Sequence, residues 1–405
     1  MPRKHIKGTG FRQCSPLFSS LHQHPHTQLQ SCIFFTMLVV LPDFTGITLD
    51  AGRLELLQSV GAGAYGEVYL AIDHEASASS LVPVRRAVKI VPKAGPSKRD
   101  TQRQRREITI QRLVSDVPGV LELLDVIEDD AHFYLVTDYR DCDLFDLLVE
   151  GVVFEGNDER IRSVFVQILD AVHGCHQKRM YHCDLKPENI LCTADGKEVV
   201  VADFGMATPL ARSYSRGHGT GSYMSPGKSL CLDSATGPYS TKHADIWALG
   251  RILIDLITGC SRPWSEASLD DPDFREFLED EQYLENEFGI SSGAADLLKR
   301  IFRLNPIARP SLAQIRNNVL RLDTFFAESE EDLEWDDEDN ESIDSTPTPE
   351  DSVAVVGTPG NKTPIAPRFV VSKEYVRPLL LPTLARKADA DEFALGFLDG
   401  LEMLI

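Results

Sequence analysis

One short stretch of the chain combines a carboxylate, an ammonium group and an amide. The run from Tyr181 to Leu191 reads YHCDLKPENIL and contains Asp184, Lys186 and Asn189. An aspartate can accept a proton from an attacking hydroxyl, a lysine can neutralise phosphate charge, and an amide oxygen can bind a metal ion. This stretch therefore offers proton transfer, charge neutralisation and metal binding on a single loop.

A second metal ligand is predicted shortly after this loop. Asp203-Phe204-Gly205 begins fourteen residues after Asn189, and its aspartate offers hard carboxylate oxygens. Magnesium takes few protein ligands and leaves its other positions to phosphate and water, so an asparagine and an aspartate on adjacent loops suit Mg²⁺. The alternative interpretation is two ordinary polar loops, and residues upstream decide between the two.

A glycine-rich segment upstream predicts a phosphate-binding turn. Glycines stand at positions 61, 63 and 66, and β-branched and aromatic residues follow in 67–71. Dinucleotide-binding folds place such glycines before a helix, but the residues that follow here favour a strand. We therefore expect the glycines to join two strands and to let the backbone approach phosphates closely.

Taken in order, these segments resemble the glycine-rich loop, the catalytic loop and the Asp-Phe-Gly motif of eukaryotic protein kinases. The resemblance extends from about Leu54 to Leu322 and is strongest to fungal serine/threonine kinases linked to nutrient sensing and meiotic entry. It implies an α+β, two-lobed fold with a small β-rich lobe, a larger helical lobe and disordered tails. The implied domains are a disordered extension (1–45), the N-terminal lobe (46–140), the C-terminal lobe (141–326) and an acidic, mostly disordered tail (327–405).

The resemblance also implies an ATP site. Lys89, in the predicted strand Arg85–Val91, takes the place of the lysine that holds the α- and β-phosphates, and Glu107, in the predicted helix Asp100–Val114, that of its glutamate partner. The polar segment Asp73–Pro83 between these motifs is predicted to be a surface loop. The implied ATP-binding residues are Gly61, Ala62, Gly63, Ala64, Tyr65, Gly66, Val68, Ala87, Lys89, Glu107, Thr137 as gatekeeper, Asp138 in the hinge, Asp143 near the ribose, and Leu191.

For the chemical step, the resemblance assigns orientation and deprotonation of the substrate hydroxyl to Asp184. Lys186 and Thr220, which lies in the run GTGSYMSP, together favour serine or threonine over tyrosine as the acceptor. Asp245, in the run HADIWALG, would hold the catalytic-loop backbone. The implied catalytic residues are Asp184, Lys186, Asn189 and Thr220, and the implied metal ligands are Asn189 and Asp203 for Mg²⁺.

Two positions depart from the family pattern. Cys183 replaces the usual arginine before the catalytic aspartate, and a neutral thiol cannot hold an activation-loop phosphate. Gly227 stands where the glutamate of the Ala/Ser-Pro-Glu motif belongs, so Arg309 would lack its partner, and a buried unpaired charge can cost about 3–5 kcal/mol. Another acid such as Asp233 substitutes, or Arg309 reaches water, or the gene model is in error here.

A peptide-binding acid pair is predicted from two further residues. Glu188 lies on the catalytic loop, and Asp255 aligns with an acid that shares a peptide arginine with this glutamate in basophilic kinases. Two carboxylates would favour an arginine two residues before the phosphorylated residue. The alternative is that Asp255 is a charge on the surface of a helix.

The function implied is that of a non-specific serine/threonine protein kinase, which uses ATP to phosphorylate proteins in intracellular signalling. The alternative is a pseudokinase that keeps the fold as a scaffold, and Gly227 is the best support for it. A scaffold has no chemical need for the full set of five residues that argues for the enzyme: Lys89, Glu107, Asp184, Asn189 and Asp203.

Charge and composition bear on partners. The 405-residue chain has a net charge of −21, which argues against nucleic acid as a partner because phosphates need a basic surface. Residues 327–405 carry 19 acidic and 6 basic residues, as solvated tails do. Their four Thr-Pro pairs are candidate sites for proline-directed kinases or parts of a plain linker. Phe393, Phe397 and Leu401 have the spacing of a peptide that docks partners.

The sequence predicts an intracellular protein, in the cytoplasm, the nucleus or both. The apolar run from Cys32 to Leu41 is too short to span a membrane. The eight cysteines are scattered without a C-x-x-C pair, which is typical of reduced thiols rather than a disulfide framework.

Overall fold

The computed structural model describes residues 41–63, 66–93, 98–151, 153–217, 219–228 and 237–327. They belong to the second of two units of the chain, Val39–Ile405. The predictions for residues 1–40, Ala64, Tyr65, Asp233 and the tail from residue 328 lie outside the described residues. None of the helices in the described ranges is long and apolar enough to cross a membrane.

The first lobe is built on a six-stranded sheet of order β1-β2-β3-β4-β6-β5, in which every pairing is antiparallel. The strands are β1 Thr48–Leu49, β2 Leu54–Gly63, β3 Gly66–Asp73, β4 Val84–Pro92, β5 Leu123–Glu128 and β6 His132–Asp138. Gly63 of β2 pairs with Gly66 of β3, so the glycine-rich segment joins two strands, as predicted. One face of this sheet buries Leu56, Val88 and Ile90 in a core of its own.

The second lobe is mainly helical, as predicted. With the two helices of the first lobe, the helices are α1 His74–Ser77, α2 Lys98–Val114, α3 Leu144–Glu150, α4 Asp158–Gln177, α5 Thr241–Thr258, α6 Pro272–Glu279, α7 Tyr283–Phe288, α8 Ser292–Ile301 and α9 Leu312–Val319. Helix α5 is buried along most of its length because it is apolar on nearly all sides. Trp247 on α5 packs against Trp264 and Phe302, with ring centroids 6.2 and 4.9 Å away.

Two small antiparallel sheets support the loops between the lobes. The first has the order β7-β8-β9, with β7 Cys142–Asp143, β8 Ile190–Cys192 and β9 Val199–Val201; the second pairs β10 Arg212–Ser213 with β11 Tyr239–Ser240. The predicted catalytic loop leads directly into β8, and the Asp-Phe-Gly segment follows β9. These short strands therefore bring the two segments side by side.

The segment Asp73–Pro83 is not entirely a loop, which corrects the prediction. It contains the single-turn helix α1, because the side chain of Asp73 accepts a hydrogen bond from Ala76 N at 2.9 Å and caps the turn. Asp73 itself is buried.

Candidate active site

A buried aspartate on α5 fixes the backbone of the catalytic loop. Asp245 accepts hydrogen bonds from His182 N at 2.9 Å and from Cys183 N at 2.8 Å, and His176 Nε2 lies 2.8 Å from the oxygen that His182 N contacts. Burial would raise the pKa of Asp245, but these hydrogen bonds and the nearby imidazoles keep that pKa lowered. The contacts hold Cys183 in a left-handed conformation, with φ of 64°, so that the chain turns sharply before Asp184.

Four predicted catalytic residues meet at the start of this loop. Lys186 Nζ lies 3.4 Å from Asp184 Oδ2 and donates to Thr220 Oγ1 at 3.3 Å. Thr220 N donates to Asp184 Oδ1 at 3.3 Å, and Asn189 Nδ2 donates to Asp184 O at 2.7 Å. These contacts hold the Asp184 carboxylate in one orientation beside a cation.

The predicted metal ligands come from the two adjacent segments. The amide nitrogen of Asn189 is used by Asp184, and no donor within the described ranges reaches its amide oxygen. Asp203 adopts a left-handed conformation, with φ of 58°, and its carboxylate accepts a bond from Gly205 N at 3.3 Å. One carboxylate and one unused amide oxygen are the donor set that Mg²⁺ prefers, so these residues fit a magnesium ion.

A half-buried ion pair joins this region to the first lobe. Lys89 Nζ on β4 lies 2.8 Å from Glu107 Oε1 on α2 and 3.6 Å from Asp203 Oδ1. Burial would lower the pKa of Lys89, but the two carboxylates outweigh it and raise that pKa. The same lysine holds the pKa of Asp203 below its ordinary value. Lys89 and Asp203 are therefore both charged at neutral pH.

The residue after Asp203 anchors the Asp-Phe-Gly segment in the hydrophobic core. Phe204 is buried, and its ring centroid lies 4.9 Å from that of His182. His182 is held in turn by a 2.9 Å contact with the Ala202 carbonyl. With Phe204 packed inward, the side chain of Asp203 lies on the side of Lys89.

The predicted nucleotide-binding residues of the first lobe lie on neighbouring strands. Val68 is opposite Lys89 in the β3–β4 pairing, and Ala87 is opposite Thr137 in the β4–β6 pairing. Gly61, Ala62 and Gly63 end β2, and Gly66 begins β3. A Cβ atom at Gly66 would lie 2.2 Å from the Ile90 carbonyl, so only glycine fits this crossing of β4.

The predicted ribose and hinge residues are already engaged in contacts. Arg86 donates to the carboxylate of Asp138. Asp143 caps helix α3 by accepting from Asp146 N at 2.9 Å, and burial raises the pKa of Asp143. Leu191 pairs with Asp143 across β7 and β8, so these two predicted residues are neighbours.

The departure at Cys183 is accompanied by a cation that sequence reasoning missed. Cys183 is buried, burial raises the pKa of its thiol, and its carbonyl accepts a hydrogen bond from Lys228 Nζ. Lys228 is only 3% exposed. A Cβ atom at Gly219 would lie 2.8 Å from Asp184 Oδ1 and 2.9 Å from Lys228 Nζ, so both groups lie close to this glycine. Nothing in the spacing of Lys228 signals this position.

At the departure Gly227, the partners of Arg309 within the described residues are uncharged. Arg309 Nε donates to Arg303 O at 2.9 Å, and Arg309 Nη1 donates to His243 O at 2.7 Å. The guanidinium lies 4.9 Å from the ring centroid of Trp247. No carboxylate within the described ranges pairs with it, and burial lowers the pKa of Arg309 to about 9. Arg309 is 6% exposed, so its charge is poorly solvated and has no carboxylate partner among the described residues.

The structure corrects the predicted role of Asp255. Its side chain is fully buried, so it is neither a surface charge nor an acid open to a peptide arginine. Arg251, one turn earlier on α5, lies 2.6 Å from Asp255 Oδ1, and Tyr223 donates to Asp255 Oδ2 at 2.8 Å. Burial raises the pKa of Asp255 to about 6. Glu188 is exposed, so it alone of the predicted pair faces solvent.

Comparisons with known proteins agree with this geometry. Residues 54–320 match the family described as Protein kinase domain. The "Negative regulator of sexual conjugation and meiosis" of Schizosaccharomyces pombe is 36% identical over 288 residues, which cover 66% of this chain and 59% of that protein. "Serine/threonine-protein kinase ksp1" of the same yeast is 32% identical and covers 68% of this chain and 59% of its own length.

A further relative comes from another yeast. "Serine/threonine-protein kinase SKS1" of Saccharomyces cerevisiae is 32% identical over 237 residues, which cover 55% of this chain and 46% of that protein. The chain thus spans about half to three-fifths of the length of these curated relatives. The matched part contains every residue of the site described above.

Proposed function

The chain belongs to the protein kinase family, and we propose that it is a serine/threonine protein kinase that transfers the γ-phosphoryl group of ATP to protein hydroxyls. The observation that carries this proposal is that two groups of side chains are in contact. Asp184 contacts Lys186 and Thr220, and Lys89 contacts Glu107 and Asp203. Phosphoryl transfer needs positioning and charge neutralisation more than covalent chemistry, and these two sets offer both.

In the proposed mechanism, Asp184 orients the substrate hydroxyl and accepts its proton. Its carboxylate is held by Thr220 N and lies beside the ammonium of Lys186, so it has little freedom to turn away. Lys186 is then placed to neutralise the charge of the transferred phosphoryl group. The contact between Lys186 and Thr220 supports serine and threonine rather than tyrosine as acceptors.

We propose that ATP binds to the predicted nucleotide-binding residues, which extend from the glycine-rich loop to Leu191. Lys89 would contact the α- and β-phosphates, and the backbone around Gly61 and Gly66 would cover them. Asp203 and Asn189 would hold Mg²⁺ ions, which neutralise phosphate charge when bound. In this proposal residues 46–140 form the N-terminal lobe and 141–326 the C-terminal lobe, flanked by the extension 1–45 and the tail 327–405.

The substrate class and cellular location are proposed more broadly. Because Asp255 is enclosed by Arg251 and Tyr223, the predicted pair of Glu188 and Asp255 does not support a preference for a peptide arginine, and the proposed class is the non-specific serine/threonine kinases. The five cysteines of the described residues are all free thiols, which supports a reducing compartment such as the cytoplasm or nucleus. Proteins that dock on the C-terminal tail would be further partners.

The test is turnover of ATP with a generic serine/threonine protein substrate by the full chain. Asp184→Asn should reduce kcat by about a hundredfold or more, because a positioned base contributes 10²–10⁴. Asp195→Asn is the matched control, since Asp195 is an exposed turn residue that bonds Thr193 and Lys197. A parent protein that binds ATP without turnover would indicate a pseudokinase. Equal rates for the parent and Asp184→Asn would refute the assigned base.

A further inference from the structure

An arginine-rich pocket lies in the second lobe, and its residue Arg309 donates to His243 O near the start of α5. It encloses about 380 Å³ between the end of α8, the turn that follows it, and α9. Its lining includes Arg300, Arg303, Ile307, Arg309, Gln314 and Asn318. Neither the proposed mechanism nor the fold explains three guanidinium groups in one pocket.

Among the residues that the structure describes, the three arginines have only uncharged partners. Arg300 donates to Asp296 O at 3.1 Å and to Asn318 Oδ1 at 3.2 Å, and Arg303 donates to Ala308 O at 3.0 Å. Arg309 donates only to backbone carbonyls, as described above. No carboxylate within the described ranges forms an ion pair with any of them. Three like charges without counter-ions repel one another, so a bound anion would be stabilised here.

Apolar side chains are exposed beside these charges. Ile307, in the lining of the pocket, is 83% exposed, and Leu304 in the same turn is 45% exposed. Large apolar side chains rimmed by cations are typical of a surface that binds another polypeptide. The chemistry of the pocket thus calls for an acidic segment that also carries apolar residues.

The chain contains such a segment directly after its last described residue. The run 328–341 reads ESEEDLEWDDEDNE, which interleaves Leu333 and Trp335 with carboxylates. The described chain ends at Ala327, whose N–H donates to Gly289 O at 2.8 Å, close to the start of α8. The arginines lie at the other end of α8, about 15 Å along a ten-residue helix, and about five extended residues span that distance.

We propose that the acidic segment 328–341 docks intramolecularly in the pocket of Arg300, Arg303 and Arg309. Its carboxylates form ion pairs with the three guanidinium groups, and Trp335 and Leu333 cover Ile307 and Leu304. The docked segment supplies the negative charge that Gly227 does not offer to Arg309. Because the segment is tethered next to α8, the entropic cost of closing such a short loop is small.

Tryptophan fluorescence of the full chain tests this docking. The protein has three tryptophans, of which Trp247 and Trp264 are fully buried, so Trp335 reports on the segment. The contribution of Trp335 to acrylamide quenching is the difference between the parent and Trp335→Phe. In Arg300→Glu/Arg303→Glu that contribution should rise roughly twofold toward the value of a free indole, because the charge-assisted contacts are lost.

Two controls separate docking from a general effect of charge. Arg262→Glu/Arg275→Glu makes the same charge change at two exposed arginines outside the pocket and should leave the quenching of Trp335 unchanged. Placing Glu334→Arg/Asp336→Arg in the Arg300→Glu/Arg303→Glu background restores opposite charges and should restore the protection.

Three outcomes would overturn the proposal. The first is equal quenching of Trp335 in the parent and the Arg300→Glu/Arg303→Glu variant. The second is an equal rise in the Arg262→Glu/Arg275→Glu control. The third is protection in the parent that increases with protein concentration, because the segment would then dock on a second copy of the chain. None of these readouts depends on kinase activity.

Discussion

Lys89 and Glu107 form an ion pair of 2.8 Å between strand β4 and helix α2, and Lys89 also lies 3.6 Å from Asp203. One ammonium group thereby joins three segments that are distant in sequence. The pair is largely shielded from water, with side-chain exposures of 25% and 15%. This is the arrangement in which a lysine can exchange part of its carboxylate contact for phosphate oxygens.

Lys89→Met should therefore abolish most phosphoryl transfer. We expect kcat to fall by about a hundredfold or more, the scale found when a group that stabilises developing charge is removed. Lys93→Met is the matched control, because Lys93 follows the same strand and pairs with Glu128 at 2.8 Å away from the site. Phosphate transfer to a generic protein substrate is the measurement. Parent-like rates for Lys89→Met would contradict the assigned role, as would an equal loss in Lys93→Met.

Gly219→Ala should lower kcat with little effect on KM for ATP. The added methyl group would lie 2.8 Å from Asp184 Oδ1, and the residue has φ of +114°, which L side chains rarely adopt. Displacement of a catalytic group by about 1 Å can cost about a hundredfold in rate, so a loss of at least about tenfold is expected. Gly221→Ala is the control, since the nearest atom to its Cβ is 3.8 Å away. Thermal unfolding shows that both variants fold, and equal kcat values for the two would refute the prediction.

The chemical residues could be predicted because their types and order are set by the reaction. Asp184, Asn189 and Asp203 lie on loops that adjoin the short strands β8 and β9, so nearness in sequence translates into nearness in space. Glycines in the turn between two strands could be predicted as well, because a close approach of the backbone to phosphate or to a neighbouring strand requires glycine. The β-rich and helical lobes, in contrast, were implied by the resemblance to protein kinases.

Burial of charged side chains could not be predicted in the same way. Arg251 and Asp255 have the i, i+4 spacing that also occurs in exposed ion pairs, so the sequence does not show that both lie inside. Lys228 reaches the carbonyl of Cys183, which lies 45 residues earlier in the chain, and only tertiary packing creates such a contact. The helix α1 is a single turn, too short to show an apolar period, so the N-cap Asp73 is its main local signal.

Activity should depend little on phosphorylation of Ser213, Tyr214 or Ser215. The buried thiol of Cys183 offers no cation to a phosphate, and the segment is already fixed where β10 pairs with β11 at Ser213 and Tyr239. Phosphatase treatment, followed by mass measurement to verify removal of phosphate, should change the rate by less than about twofold. The reason is that the phosphate makes no charge-assisted hydrogen bond that its removal would break.

A variant provides an independent check of this regulation. The triple substitution Ser213→Ala/Tyr214→Phe/Ser215→Ala should keep the rate of the phosphatase-treated parent. A large drop after phosphatase treatment, reproduced by the triple variant, would show that another cation holds a phosphate here.

Removing one partner of the buried pair Arg251 and Asp255 should destabilise the protein, whereas replacing both with apolar residues should not. Arg251→Met leaves the Asp255 carboxylate buried without its counter-ion, so the free energy of unfolding should fall by about 3–5 kcal/mol near pH 7.5. Arg251→Met/Asp255→Leu removes both charges and should recover most of that loss. Arg275→Met, at an exposed arginine on α6, controls for loss of one positive charge.

The pH dependence of this pair has a definite sign. Burial raises the pKa of Asp255 from 3.8 to about 6, so the folded protein binds a proton there more tightly than the unfolded chain does. The resulting stabilisation is fully present below pH 3.8 and is lost as pH rises through about 6, with a total change of about 3 kcal/mol. Urea unfolding of the parent and of Arg251→Met/Asp255→Leu between pH 4.5 and 8 measures it. The parent should lose stability relative to the double variant as pH rises, and a constant or opposite difference would contradict the raised pKa of Asp255.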